Sequence, residues 1–147
     1  ALEGHIDVLD ARGGSFTVLT PHDGEFVRIG GDLSGGDRLA AARSFAAEHG
    51  CALVLKGHRT IAAFPDGTAY INTTGNPGMV AGGMGDTLTG IIAAFIGQGL
   101  SAEEAAVAGV YLHGLAGDLL AEKMPVGYTA GDVARMIPLA RKKVIEG

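Results

Sequence analysis

Apolar residues along this chain follow two spacings, short unbroken runs and the three-and-four-residue recurrence of helices, separated by proline or glycine breaks. Phe16–Thr20 is a β-prone run closed by Pro21, whose fixed φ and missing N–H stop a central strand. From Asp37 to His49 the apolar positions Leu39, Ala42, Phe45 and Ala46 predict an amphipathic helix, with Gly50 as its stop. Cys51–Leu55 is uniformly apolar, the signature of a strand buried on both faces in a parallel sheet. Thr60–Phe64 and Ala69–Thr73 flank the turn Pro65-Asp66-Gly67 and predict a β-hairpin.

After a loop over Thr74–Gly85, with five glycines in twelve residues, Leu88, Ile91, Ile92, Phe95 and Ile96 predict a one-sided helix from about Asp86 to Gln98. Ser101-Ala102-Glu103-Glu104 fits a capping box, and the helix it opens is rich in small residues that permit close backbone approach. A last helix, N-capped by Thr129, places Val133, Met136, Ile137, Ala140 and Val144 in a stripe. Strands followed by helices in this order make an α/β fold.

Composition narrows the functional classes. At 147 residues and 47% hydrophobic the chain can bury one continuous core, so one domain or part of one is expected. Glycine fills 25 positions without a repeat, which points to tight loops between packed elements. The net charge of -5 offers no surface for a polyanion, and the cluster Arg141-Lys142-Lys143 suits the negative end of a helix; nucleic-acid binding is not expected. No run approaches the roughly 18 apolar residues of a membrane span. The single Cys51 lies in an apolar run and reads as a buried thiol of a reducing compartment, so a cytoplasmic protein is expected.

The candidate chemistry gathers in Asn72-Thr73-Thr74-Gly75-Asn76-Pro77-Gly78-Met79-Val80-Ala81-Gly82-Gly83-Met84-Gly85-Asp86. The backbone from Gly82 through Gly83 and Met84 to Gly85 can approach a phosphate and point N–H groups at it, and the following helix adds its positive end. This is an anion hole by design, but neither a Walker A loop nor a dinucleotide fingerprint, since the Gly-Lys-Ser/Thr and Gly-x-Gly-x-x-Gly orders are missing. Asp86 either takes a proton from a substrate hydroxyl or caps the helix. Lys56, ending a buried strand, either meets phosphates or escapes the core. Glu25 either orients a metal or water or sits in a first helical turn. His22 reads by itself as a turn histidine bonded to nearby backbone, and His113 and Asp118 read as satisfied packing residues.

The long glycine-rich segment resembles the anion-hole loop of ribokinase-like enzymes, and more narrowly that of the NAD(P)H-hydrate dehydratase family, whose Asn-x-x-Gly-Asn-Pro-Gly-Met run matches Asn72 to Met79. Three more segments are similar to that family in order and spacing: Thr20-Pro21-His22-Asp23-Gly24-Glu25, Leu55-Lys56-Gly57-His58-Arg59-Thr60, and Tyr111-Leu112-His113-Gly114-Leu115-Ala116-Gly117-Asp118. Met84 stands where the family usually has Thr.

The resemblance implies a three-layer α/β/α domain with a mainly parallel sheet, of which residues 1–147 form the C-terminal part. It implies ADP- or ATP-dependent dehydration of the hydrated dinucleotides NADHX and NADPHX, with magnesium expected though no metal-ligand cluster is visible. Asp86 is the implied catalytic base and substrate contact, and His22 the second substrate contact. Lys56, Gly57, His58, Arg59, Thr60 and Gly85 make the nucleotide site. The alternatives are a ribokinase-like kinase of a vitamin precursor or sugar, and a non-catalytic nucleotide-binding module. The isolated chain is expected to associate, with its own copies or with a missing N-terminal half.

Overall fold

A computed structural model describes residues 2–12 and 16–147, which form two compact units, residues 1–72 and 73–147. In the first unit, after two short 3-10 turns, come β1 (Val18–Leu19), α1 (Asp23–Arg28), α2 (Arg38–Glu48), β2 (Ala52–Leu55), β3 (Ile61–Ala63) and β4 (Ala69–Ile71). They build one sheet in the order β1-β2-β3-β4. β1 runs parallel to β2, with Val18 opposite Ala52, while β2-β3 and β3-β4 are antiparallel.

The expected hairpin is therefore β3-β4, closed where Phe64 N donates to Thr68 O at 2.9 Å and Gly67 takes φ +85°. β2 is buried at all four positions, as its apolar run requires, but it is parallel on one side only; the sheet of this unit is mixed. The short connection over residues 56–60 explains the difference, because it holds no crossover helix and so returns β3 antiparallel to β2.

α2 forms where expected because Asp37 caps it, its carboxylate accepting from Ala40 N at 2.9 Å. Ala42, Phe45 and Ala46 face inward and join Phe26, Leu53, Leu55, Ile61 and Ala63 in one core. Phe26 and Phe45 meet edge to face with ring centroids 5.1 Å apart, a geometry that adds about 1 kcal/mol to simple burial. Cys51 is buried in the same core, and burial pushes its thiol up to about 11.

The second unit is helical: α3 (Met84–Gly97), α4 (Ala102–Ala121) and α5 (Ala130–Glu146), preceded by a 3-10 turn at Pro77–Met79. Ser101 and Thr129 each form the reciprocal capping box, with Glu104 and Asp132 as partners. The small-residue helix α4 is buried at Ala105, Ala106, Gly109, Gly114, Ala116 and Gly117.

Two expectations need correction here. α3 starts at Met84, two residues before Asp86, because Gly83 takes the left-handed conformation (φ +83°) and turns the chain into the helix. The stripe of α5 is buried only at Val133 and Ala140, whereas Val144 is 50% exposed. A groove of about 530 Å³, lined by Ile91, Phe95, Ile137, Pro138 and Ile145, lies between α3 and the C-terminal half of α5, so this part of the apolar face of α5 is not packed against α3. Among the described residues no helix is long and apolar enough to cross a membrane.

Candidate active site

In the first unit the candidate residues His22, Glu25 and Lys56 sit beyond the carboxyl ends of β1 and β2. A parallel bridge pairs His22 with Lys56, and Lys56 N donates to Pro21 O at 2.8 Å, so the two post-strand segments run side by side. That position is where open α/β sheets collect ligands.

His22 caps α1. Its Nδ1 accepts from Glu25 N at 3.2 Å, and Glu25 Oε2 accepts from His22 N at 2.8 Å. The turn role expected of His22 is thus observed, and it fixes the ring: with Nδ1 an acceptor, the neutral imidazole carries its proton on Nε2. Glu25 lies in the first turn of α1, as one of its two readings required. The backbone hydrogen bond from His22 holds its carboxyl below the usual range, helped by Lys56 and opposed by slight burial. Lys56 Nζ stands 3.5 Å from Glu25 Oε2. Lys56 is therefore directed by a carboxylate, with its ammonium kept at the strand end.

Gly57 to Thr60 form a built loop. Thr60 Oγ1 donates to Gly57 O at 3.1 Å and accepts from Gly57 N at 3.3 Å, and Arg59 takes φ +57°, a left-handed value that a non-glycine residue adopts only when its surroundings enforce it. His58 and Arg59 are exposed. Arg38, absent from the candidates read in the sequence, also anchors this loop. Its guanidinium donates to Asp23 Oδ1 at 2.8 and 3.1 Å, to Lys56 O at 3.1 Å and to His58 O at 3.4 Å. A Cβ at Gly57 would fall 2.8 Å from Arg38 Nη2, so only glycine admits the fork. No local pattern marks Arg38, because its partners lie 15 to 20 residues away.

In the second unit the glycine-rich segment delivers bare backbone. Thr87 N donates to Gly83 O at 2.9 Å, closing the first turn of α3, and Met84 N reaches Ala81 O at 3.4 Å. Among the described residues, the amides of Gly82, Gly83, Gly85 and Asp86 have no intrachain acceptor. Free N–H groups at a helix start, joined to the positive end of its dipole, make an anion site. Asp86 follows them in the first turn of α3 with its side chain exposed. It makes no capping bond, since the cap position belongs to Gly83, so its carboxylate is not spent on holding the helix. Gly78, Val80, Ala81 and Gly82 line one side of a pocket of about 490 Å³, with Val126, Tyr128 and Thr129 on the other.

The path of this loop is held from α4. Asp118 accepts from Gly75 N at 2.8 Å and from Asn76 Nδ2 at 2.9 Å, the satisfied packing role expected of it. Asn76 Oδ1 in turn accepts from Gly78 N at 3.0 Å and from Tyr128 Oη at 2.5 Å. His113 departs from expectation: its ring hydrogen-bonds to the backbone of Met84, but its buried Nε2 has no partner. Burial lowers its pKa from the ordinary 6.5, against the opposing pull of that backbone bond. Among the described residues, no three His, Cys, Asp or Glu side chains gather as a metal centre would require.

A family profile described as NAD(P)H-hydrate dehydratase matches residues 4–139. The chain is 43% identical over 136 residues to the ADP-dependent (S)-NAD(P)H-hydrate dehydratase of Neisseria meningitidis, covering 89% of this chain and 45% of that protein. Among solved structures it is similar to the ADP/ATP-dependent NAD(P)H-hydrate dehydratase of Bacillus subtilis co-crystallised with ATP/Mg2+, with TM-score 0.82 and 35% identity over 87% of this chain and 49% of that one. A ribokinase-like superfamily protein of Enterococcus faecalis matches with TM-score 0.69 and 36% identity, over 93% of this chain and 50% of that one. The α/β, ribokinase-like character expected from the motifs is borne out by these likenesses. The chain spans between about a fifth and a half of the length of the relatives it matches.

Proposed function

Since this chain belongs to the NAD(P)H-hydrate dehydratase family, we propose that it contributes the phosphoryl-transfer machinery of an ADP- or ATP-dependent dehydratase acting on NADHX and NADPHX. The observation that carries the proposal is the run of unbonded amides at Gly82, Gly83 and Gly85, followed within one turn by the uncommitted carboxylate of Asp86.

The steps follow from ordinary chemistry. Asp86 takes the proton of the C6 hydroxyl of the hydrated ring as that oxygen attacks the terminal phosphoryl group of the nucleotide, whose bond to the bridging oxygen breaks to release ADP from ATP or AMP from ADP. The backbone amides of Gly82 to Gly85 hold the charge that develops on the phosphoryl oxygens. The C6–O bond then breaks with push from the ring nitrogen, phosphate leaves, and loss of a C5 proton restores the reduced dinucleotide. Lys56, Gly57, His58, Arg59, Thr60 and Gly85 meet the nucleotide. His22 offers Nε2–H to the nicotinamide end, Nδ1 being occupied by the helix cap.

Magnesium fits this site as an ion carried on the nucleotide. Mg²⁺ keeps several waters and binds through substrate phosphates, so it needs no protein cage. It would supply counter-charge to the transferring phosphoryl group. The remaining expectations stand as part of the same proposal: residues 1–147 form the C-terminal part of one ribokinase-like domain, work in the cytoplasm, and pair with further chain or with copies of themselves.

The test is a coupled assay of the whole protein with prepared NADH hydrate and either nucleotide. Return of the reduced-nicotinamide absorbance is expected, and Asp86→Asn should lower kcat by about 10²- to 10⁴-fold. Nucleotide turnover only with a hydroxymethyl compound would instead identify a small-molecule kinase. Tight nucleotide binding without turnover on any acceptor would identify a binding module.

A further inference from the structure

Helix α4 makes a set of contacts with the segment between Thr74 and Met79, and none of its residues belongs to the proposed reaction. Thr74 Oγ1 donates to Tyr111 O at 2.9 Å. Gly114 and Gly117 form a notch: a Cβ at Gly114 would lie 2.7 Å from Thr74 C, and one at Gly117 would lie 2.8 Å from Met79 Cγ. Asp118, one turn beyond Gly114, spends both carboxylate oxygens on Gly75 N and Asn76 Nδ2.

The polarity of that last pair is decisive. A carboxylate only accepts, so beside Asp118 the Asn76 amide has to present its NH₂. The carbonyl Oδ1 is thereby turned the other way, where two donors wait, Gly78 N at 3.0 Å and Tyr128 Oη at 2.5 Å. A flipped amide would set NH₂ against an N–H and a phenol, and leave an oxygen facing an oxygen. One acidic side chain on α4 therefore orients an amide that pins both ends of the turn entering the phosphate loop. Tyr128 is a donor at neutral pH in any case, and burial, helped by the Asp118 charge and opposed by the Asn76 hydrogen bond, raises its hydroxyl further.

We propose that Asp118, acting through Asn76, is the positioning residue that sets the path of residues 75–83 and so aims the free amides of Gly82, Gly83 and Gly85 at the phosphoryl group. The inference rests on the phosphoryl-transfer reading above. Asp118 touches neither nucleotide nor acceptor.

The test exploits the polarity. In the whole protein, Asp118→Asn leaves one oxygen for two donors, and Asn76→Asp sets two carboxylates face to face. Together the two substitutions restore every donor to an acceptor: the amide introduced at position 118 donates to the carboxylate introduced at position 76, and the net charge is unchanged. Each single variant should lower kcat and raise the nucleotide KM, with kcat/KM falling roughly tenfold to a hundredfold, the scale of a misplacement near 1 Å. The KM for the hydrated dinucleotide should not move, and the double variant should recover most of the loss.

Hydrogen exchange at the Gly75 and Gly78 amides gives a second readout. Both should exchange slowly in the wild type and fast in Asp118→Asn. Unchanged kcat/KM in Asp118→Asn, or no recovery in a double variant with wild-type melting temperature, would overturn the proposal. If the wild type turns over no hydrate, the reaction reading fails separately, and exchange at Gly75 and Gly78 decides the positioning. Exchange in Asp118→Asn also decides it if the double variant does not fold.

Discussion

Adding one methyl group at three helical glycines should move stability in different directions, and the structure sets the order. Glycine inside a helix costs about 1 kcal/mol relative to alanine, so each Gly→Ala change starts with that gain. At Gly90 in α3 a new Cβ meets nothing within 4 Å, and the gain survives: Gly90→Ala should stabilise by about 0.5–1 kcal/mol. At Gly117 the methyl lands on the Met79 side chain, with Cγ at 2.8 Å and Cε at 2.9 Å, a flexible group able to swing aside at a cost close to the gain. At Gly114 the methyl meets Thr74 Oγ1 and, behind it, backbone, Thr74 C at 2.7 Å and Thr74 O at 2.8 Å, which has no rotamer to change. Overpacking of that kind costs about 1–3 kcal/mol, and losing the Thr74–Tyr111 hydrogen bond adds about 1 kcal/mol. The net for Gly114→Ala is a destabilisation of about 1–3 kcal/mol after the helix gain is subtracted. Urea unfolding followed by circular dichroism measures all three at unchanged m-value. Gly114→Ala as stable as the wild type would refute the reasoning, because it would mean that α4 and the loop at Thr74 are not in contact.

Three further outcomes are expected. Because burial depresses the His113 pKa, the unfolded chain binds a proton below pH 6.5 that the folded chain resists; stability should therefore fall as pH drops through that value and level off below the folded pKa, and His113→Gln should flatten this part of a urea-derived stability–pH curve. The Cys51 thiol, pushed up to about 11 and buried, should react with a thiol reagent only as fast as the protein unfolds, so a fast-reacting fraction in native buffer would contradict its placement. Arg38→Lys keeps the charge but loses the fork that ties Asp23 to the Lys56 and His58 carbonyls; it should cost roughly 1 kcal/mol, given the partial exposure of the pair, and raise the nucleotide KM, as steady-state kinetics with varied ADP or ATP would report.

What could be read without coordinates was local. Ser101 and Thr129 announce their helices because a cap bonds to an amide two or three residues away. The run Ala52–Leu55 announces a buried strand because both faces are apolar. The start of α3 escaped by two residues, since a Gly-Gly-Met-Gly stretch has little helix propensity of its own and the left-handed turn at Gly83 decides where winding begins. Val144 escaped because a periodic stripe says which residues share a face, and nothing about whether another element covers each of them. Arg38 and the unpaired Nε2 of His113 escaped because each depends on partners, or their absence, brought in from other elements.

The same distinction explains why the run from Asn72 to Met79 is so specific a motif although none of its side chains is proposed to do chemistry. A phosphate site made of amides carries no side-chain signature of its own, so its geometry has to be encoded by whatever holds the backbone in place. Here that burden falls on a few polar and small residues. Asn76 serves three partners, Gly78 leaves room between Pro125 O and Tyr128 Oη, and Gly114 and Gly117 let α4 come up against the loop. Asn76, Gly78 and Gly114 tolerate little change for a steric or hydrogen-bonding reason that can be stated, whereas the obstacle at Gly117 is the flexible Met79 side chain. Met84 in place of the usual Thr is tolerable by the same logic, because its side chain turns into the core at 6% exposure and its part in the loop is played by backbone alone.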